Sequence, residues 1–465
     1  MCGICMVTGF ENSASICVAV LQRLQHRGHQ GAKLVADHKD EMVEIGGLGR
    51  IDQVFGDVDF SKIHGNWAVG HTRYTTSGKT NLINSQPFEG DTCQGHMVFA
   101  HNGQFGTPHD IEQRKKEVKK QGYTLKHSSD SELFLASFCL ADGDVEDKLI
   151  AAFKANKGSG SIVGIVGDVS FAGRKFGNRP LFKGRINGGY VFASEDFMLR
   201  NLDVKDVEEV KPGTLYVVQE GKLKEYKIWD ETFDRHFDIF ELFYFSHPLT
   251  TYHKVHISQL RKGFGAKLQK EHPVKVDVVA AVPDSGNHAA LGYAHAAKVP
   301  FDLSIIRNHY TGRTFIGEKG ERHTKADMKY DVDPSSVAGK KVAIVDDSLV
   351  RSTTARVLVQ KLRNAGAKEI YFLLASPPIK FPNYYGIDMR SPDELIASKL
   401  SIPEIKKEIG VDYLGYLTLD GAYEVIRNLT GDKIKPGDFC DACFTGNYWD
   451  ITITDPKVKE MMSNG

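Results

Sequence analysis

Residues 341–345 form an almost wholly apolar run that ends in two adjacent acids, Asp346 and Asp347. A strand apolar at successive positions is buried on both faces, which places it in a parallel sheet covered by helices. Residues 276–282 and 370–375 are runs of the same kind, and helix-compatible stretches lie between them at Asn287–Ala297 and 354–364. Strand–loop–helix alternation of this sort predicts a doubly wound α/β domain, whose ligands sit beyond the carboxyl ends of the strands. Asp346 and Asp347 stand at such an end. The loop after them, Ser348-Leu349-Val350-Arg351-Ser352-Thr353-Thr354, is dense in hydroxyls and opens a helix. Backbone N–H groups and hydroxyls at a helix N-terminus bind phosphate. A carboxylate pair suits ribose hydroxyls and a hydrated Mg²⁺ ion.

The first half is different. It is rich in short β-type runs punctuated by glycine, at 66–71, 97–101, 161–166 and Gly189–Ala193, with helical stretches at 15–24 and 130–140. That pattern predicts an α+β domain of layered sheets. At its start stands Met1-Cys2-Gly3-Ile4-Cys5, with no pro-segment expected before it. Removing the initiator Met would give Cys2 both a thiol and an α-amine. A free α-amine has a pKa of about 7.7–8.0, so it acts as a base near neutral pH where a lysine does not. A base beside a thiol is what nucleophilic catalysis requires.

Segments that can surround Cys2 follow in order: Leu24-Gln25-His26-Arg27-Gly28, Gly70-His71-Thr72-Arg73-Tyr74-Thr75-Thr76-Ser77-Gly78, His101-Asn102-Gly103 and Ser129-Asp130-Ser131-Glu132. Thiolate attack on a carboxamide creates an oxyanion, for which the Asn102 amide and the Gly103 N–H are suitable donors. Arg73 can grip an amino-acid carboxylate bidentately, and Asp130 can accept from its ammonium. Taken singly these residues also fit a surface ion pair, a hairpin turn and a helix cap. Together, over about residues 2–235 and with Asn178-Arg179-Pro180-Leu181 and Ala193-Ser194-Glu195 further on, the sequence resembles the class II glutamine amidotransferases. The resemblance implies a four-layer αββα N-terminal-nucleophile fold. It makes Cys2 the nucleophile, Asn102 and Gly103 the oxyanion hole, and Arg73 and Asp130 the glutamine-holding pair.

The segment around Asp346 and Asp347 resembles the phosphoribosyl-pyrophosphate signature of type I phosphoribosyltransferases. Val282-Pro283-Asp284-Ser285-Gly286, the stretch from Asn308 to Ile316, and Phe381-Pro382-Asn383-Tyr384-Tyr385-Gly386-Ile387-Asp388 accompany it. With the first half, nearly the whole chain is similar to the glutamine phosphoribosylpyrophosphate amidotransferases, which open purine synthesis. By that resemblance Ser285, Asp346 and Asp347 are the Mg²⁺-associated positions, and Asp347, Ser348, Arg351, Ser352, Thr353 and Thr354 cradle the ribose 5-phosphate. Arg322 and Lys329 fall in the loop that closes over substrate. The implied organisation is a glutaminase domain at 2–235, a phosphoribosyltransferase domain at 236–400 and a C-terminal helical extension at 401–465, with the aromatic segment 233–248 as a connection.

Some positions depart from the family pattern. Ser352 stands where glycine is usual, Gln259 where an arginine is, Asp327 and Asp331 lie on the closing loop, and His29-Gln30-Gly31 replaces Gln-Glu-Ser. They motivate an alternative: a diverged paralogue that keeps glutaminase activity but has altered phosphoribosyl chemistry, or a nucleotide-sensing binding protein. Cys440 and Cys443 form a Cys-x-x-Cys motif. Family members with a four-iron cluster use two further thiolates, and here those positions correspond to Asp238 and Asn383, so no iron–sulfur cluster is expected. With 59 basic and 59 acidic residues there is no global charge to attract nucleic acid or an anionic membrane. Seven cysteines, an odd number, argue against a secreted disulfide framework and for the cytoplasm. The resemblance adds a homo-oligomer, often a tetramer, and inhibition by purine nucleotides.

Overall fold

The computed structural model describes residues 1–39, 41–74, 82–230, 233, 235–309, 328–431 and 434–463. Two antiparallel sheets stack face to face in the first half. The first runs Lys205–Glu209, Phe182–Ile186, Gly189–Ala193, Gly3–Thr8, Trp67–Arg73, Gly31–His38, Glu41–Gly47, with Gly3–Thr8 at its centre. The second runs Lys222–Lys227, Thr214–Gln219, Val169–Arg174, Ser159–Val166, Gly95–Gln104, Phe88–Thr92.

Strand alternation decides what each sheet buries. Along Gly3–Thr8, Ile4 and Met6 meet Val98, Ala100 and Val163 of the second sheet. Cys5 and Val7 face the other way, onto Cys17, Val20 and Leu21 of the helix Ser13–Arg23. The outer face of the second sheet is covered by the helices Pro108–Lys120, Glu132–Leu140 and Val145–Ala155, through Val118, Phe134, Phe138 and Phe153. The result is the expected αββα order of layers.

In the second half, five parallel strands run in the order Phe301–Asp302, Val278–Ala281, Lys341–Asp346, Glu369–Leu374, Tyr413–Tyr416. Their near-continuous apolar character follows from burial on both sides. Val279, Ala343, Val345 and Leu373 pack under the helices Ile257–Glu271, Asn287–Ala297 and Leu419–Thr430. Val278, Ile344, Ile370 and Phe372 pack under Ser352–Asn364 and Ile402–Ile409. One sequence reading changes here. The segment after 400 is helical but also supplies the edge strand Tyr413–Tyr416. The aromatic segment 233–248, read as a connection, is packed rather than exposed: Phe240, Leu242, Phe243 and Phe245 are buried in the core of the second half.

The last part of the chain returns to the first half. Trp449 meets Phe176 of the first half edge-on, with ring centroids 5.2 Å apart, and stacks on Tyr385 of the second half at 4.5 Å. Asp450 pairs with the buried Lys175 at 2.7 Å, and the Thr452 N–H donates to Asp110 at 2.9 Å. Among the described residues no helix is long and apolar enough to cross a membrane.

Candidate active sites

Cys2 stands just before the central strand Gly3–Thr8, and the Gly3 N–H donates to Thr72 Oγ1 at 3.2 Å. The Cys2 backbone nitrogen donates to Asn102 Oδ1 at 3.0 Å, and its thiol approaches the Tyr74 carbonyl oxygen at 3.4 Å. Its own carbonyl accepts from Arg27 Nε at 3.0 Å. Arg27 is wholly buried between Glu195, at 2.5 Å, and Glu241, at 2.7 Å. Met1 is also buried, among the rings of the second half, and burial pushes its α-ammonium down to about 4.

A narrow cleft opens beside Cys2, and Arg73, Gly103, Asp130, His71, Tyr74 and His101 are among the residues that line it. The structure therefore brings Cys2, Arg73, Gly103 and Asp130 together, with Asn102 bonded directly to the Cys2 backbone. Asn102 uses its oxygen on Cys2, while its Nδ2 is buried with no hydrogen-bond partner among the described residues. A buried amide donor held open in this way is what an oxyanion would occupy. Burial weakens the proton affinity of Arg73, against which Cys2 and Asp130 act. One oxygen of Asp130 accepts from the Phe105 N–H at 2.9 Å, which fixes the carboxylate.

Two buried histidines line the cleft although sequence reasoning gave them no role. Burial, with Arg73 next, holds His71 neutral well below the ordinary histidine range, and burial also lowers His101. His101 Nδ1 meets Ser131 Oγ at 2.9 Å, and its Nε2 meets the Ser159 carbonyl at 3.2 Å. Their adjacency to Arg73 and Asn102 in the sequence was the available signal.

A second, larger cleft lies at the carboxyl ends of the parallel strands. Ser285, Lys329, Asp346, Asp347, Ser348, Arg351, Thr353 and Thr354 line it. Ser352 does not; it is the first residue of Ser352–Asn364 and does not take the left-handed backbone that would favour glycine. Arg322 and Asp327 lie outside the described residues, as do most of 308–316 and the 75–78 part of the Arg73 motif. Asp331 reaches Lys361, at 3.5 Å. Burial, with Asp347 beside it, pushes the Asp346 carboxyl well above the usual carboxylate range. Ser348 Oγ donates to Asp347 Oδ1 at 2.6 Å. Two residues on from the substituted Gln259 position, Arg261 is buried against the Leu242 and Ser246 carbonyls; burial lowers its guanidinium to about 10, with Asp347 opposing the shift.

Tyr74 lines both clefts, and Phe240 and Phe245 continue the wall of the second. The Cys2 cleft and the acidic strand end thus share an aromatic wall.

A family model for class-II glutamine amidotransferases matches residues 53–141. Over 430 residues the chain is 36% identical to an amidophosphoribosyltransferase of Archaeoglobus fulgidus, covering 91% of this chain and 92% of that one. Over 468 residues it is 36% identical to the amidophosphoribosyltransferase of Bacillus subtilis, covering 99% and 97%. The solved structure of glutamine phosphoribosylpyrophosphate amidotransferase from B. subtilis, complexed with ADP and GMP, superimposes with a TM-score of 0.87 at 34% identity, over 96% of this chain and 97% of that chain.

Proposed function

The chain belongs to the amidophosphoribosyltransferase family, and on that premise we propose how its residues make 5-phosphoribosylamine from glutamine, water and phosphoribosyl pyrophosphate, with release of glutamate and pyrophosphate. The observation that carries the reading is the shared wall: one residue, Tyr74, borders both the Cys2 cleft and the Asp346–Asp347 cleft.

Removal of Met1 frees the Cys2 amine, which already has Asn102 Oδ1 as its acceptor. That amine takes the thiol proton as sulfur attacks the glutamine carboxamide. Asn102 Nδ2 and the Gly103 N–H hold the oxyanion, while Arg73 and Asp130 hold the α-carboxylate and α-ammonium. The proton passes to the leaving nitrogen, ammonia departs, and water hydrolyses the thioester to glutamate. Ammonia must stay unprotonated to keep its lone pair, which a passage past Tyr74, Phe240 and Phe245 favours by excluding water. In the second cleft it attacks C1 of the sugar and displaces pyrophosphate.

Ser348, Arg351, Thr353 and Thr354, with the helix N-terminus, hold the 5-phosphate. Lys329, which lines this cleft, is placed to meet the pyrophosphate; for Arg322 the same role rests on the family resemblance alone. Ser352 serves the same loop through its backbone. The donor set of Asp346, Asp347 and Ser285 fits Mg²⁺: the pair of carboxylates is too few for an all-protein cage but suits an ion that keeps waters and substrate oxygens. Mg²⁺ bound there supplies charge neutralisation of the leaving pyrophosphate.

The residues beside Cys440 and Cys443 do not fit a four-thiolate cluster. Asp238 is committed to Arg179 at 3.0 Å and faces Asn383 at 3.4 Å, leaving two thiols. Burial, with Asp238 next, raises both thiols, that of Cys440 to about 12. The chain is further read as cytoplasmic, as a homo-oligomer and as a target of purine nucleotides, the last by analogy with the nucleotide-bound B. subtilis relative.

The deciding experiment follows glutamate and pyrophosphate together, with glutamine and Mg²⁺, in the presence and absence of phosphoribosyl pyrophosphate. Matched release of both, lost for glutamine in Cys2→Ala, is the expected result. Glutamate release with no pyrophosphate would overturn the reading.

A further inference from the structure

Strand pairing fixes what lies beneath the Cys2 cleft. In the first sheet Gly3 stands opposite Thr72, and Ile4 stands opposite His71. Side chains alternate along a strand and paired residues share a face, so Cys2, Ile4, His71 and Arg73 fall on one side of the sheet. Ile4 identifies that side, because it packs in the core between the two sheets. His71 therefore lies one residue pair deeper than Cys2 and Arg73, at the floor of the cleft that it helps to line. Asn102 approaches from the facing sheet, with its oxygen on the Cys2 nitrogen.

His71 is 1% exposed, and its Nε2 has no hydrogen-bond partner among the described residues. Asn102 Nδ2 is in the same condition. Buried polar atoms are costly to leave unpaired, so two of them at one cleft mark places kept for a ligand. His101, the other ring at the cleft, has both nitrogens engaged, by Ser131 Oγ and by the Ser159 carbonyl.

A carboxamide under attack needs both kinds of partner. Its oxygen, turning into an oxyanion, takes a donor, which Asn102 Nδ2 is. Its nitrogen carries N–H groups and takes an acceptor. In a neutral imidazole one nitrogen donates and the other accepts. Burial, with Arg73, His101 and the N-terminal amine acting in the same direction, keeps His71 neutral. A neutral ring can accept from the nitrogen, whereas an imidazolium could not, and would protonate the ammonia that leaves.

We propose that His71 Nε2 accepts an N–H of the glutamine carboxamide and holds that nitrogen through its departure as ammonia. The proposal rests on the glutaminase reading of the Cys2 cleft. No proton passes to or from His71, since the Cys2 amine carries it. His71 touches the substrate, so it is a catalytic residue in this scheme and also a specificity-determining one. Glutamine offers the N–H, and a γ-ester of glutamate offers none.

The test compares glutamine with the γ-methyl ester of glutamate, each converted to glutamate at Cys2 by the full chain. The ester keeps the α-groups and the carbonyl oxygen but has no N–H. In His71→Leu, kcat/KM for glutamine should fall by about tenfold or more, while the ester changes by less than about threefold. His71→Gln keeps an acceptor near the Nε2 position and should recover most of the loss on glutamine. His71→Asn stays polar but is too short to reach that position, so it decides the matter if His71→Leu does not fold, and it should show the same split. A merely structural role lowers both substrates alike. Equal loss on both, or a wild-type rate on glutamine, in whichever variant folds overturns the proposal alone. A wild type that releases no glutamate from glutamine overturns the glutaminase reading itself.

Discussion

Arg27 and Glu241 form a bidentate ion pair, with Nη2–Oε1 at 2.7 Å and Nη1–Oε2 at 3.1 Å, in which neither side chain reaches solvent. Arg27 simultaneously holds the carbonyl of Cys2, and Glu241 lies in the buried segment that opens the second half. Arg179 adds a second cation beside the same carboxylate, at 3.4 Å. Removing one member of such a set strands the others uncompensated. Arg27→Met should therefore lower stability by about 3–5 kcal/mol, read by urea unfolding of the full chain. A loss under about 1 kcal/mol would mean that water enters and solvates Glu195 and Glu241.

Asn102 bears on kcat rather than on folding alone. Its Nδ2 has no partner among the described residues, so Asn102→Ala loses a donor that only the transition state uses. Glutaminase kcat should fall by about 10²–10³ with little change in KM. Ammonia-dependent turnover, measured in the same preparation, should persist.

Cys2→Ala should remove glutamine-dependent turnover, by a factor of about 10³ or more, and leave ammonia-dependent turnover intact. Mass spectrometry of the active enzyme should find Cys2 at its N-terminus. Activity equal to the wild type in protein that retains Met1 would exclude the α-amine as the proton carrier.

Stability should fall on the acid side in two stages. His71 and His101 are lowered by burial, and His247 is lowered to about 4 for the same reason. For each, the unfolded chain binds the proton more tightly. Their contribution is complete above the unfolded histidine pKa of about 6.5 and is lost as pH falls toward the folded values. Burial would raise the Glu241 carboxyl, but Arg27 overcomes it and leaves the group below its ordinary value. That contribution stands above pH about 4.5 and goes below it. Urea unfolding between pH 8 and 4 should give a free energy that declines from about pH 6.5 and more steeply below about 4.5. A flat profile down to pH 5 would contradict the neutral, buried histidines.

The Cys440–Cys443 pair should hold no iron. Purified chain should lack the visible absorption of a cluster, and iron chelation should leave its thermal midpoint unchanged. Cys443→Ala should cost about 1–2 kcal/mol, as the loss of a small buried apolar group does.

The sequence was most legible where chemistry and periodicity coincide. Cys2, Arg73, Asn102 and Asp130 each sit in a short run whose residue types already suggest attack, grip and oxyanion support, and the structure gathers them round one cleft. The parallel strands were legible because burial on both faces removes polar residues from them. What could not be read were contacts between distant segments made by groups without a signature. Nothing in Tyr385-Gly386 announces that a backbone carbonyl and a missing Cβ will meet Ser159 and Gly103. The strand Tyr413–Tyr416 was too short for alternation to register, and the aromatic density of 233–248 carries no period that would announce its burial in the second core. Ser352 shows the converse. A glycine position suggests special backbone, yet the residue here is ordinary helix.

The return of Trp449, Asp450 and Thr452 to the first half orders events during synthesis on the ribosome. The glutaminase sheets emerge early, but Lys175, fully buried in the finished fold, receives its carboxylate only when Asp450 has been made. The strand bearing Asn102 and Gly103 is braced through Ser159 by Tyr385, on which Trp449 then stacks. A half-made chain therefore carries Cys2 without the full frame that steadies the strands around it.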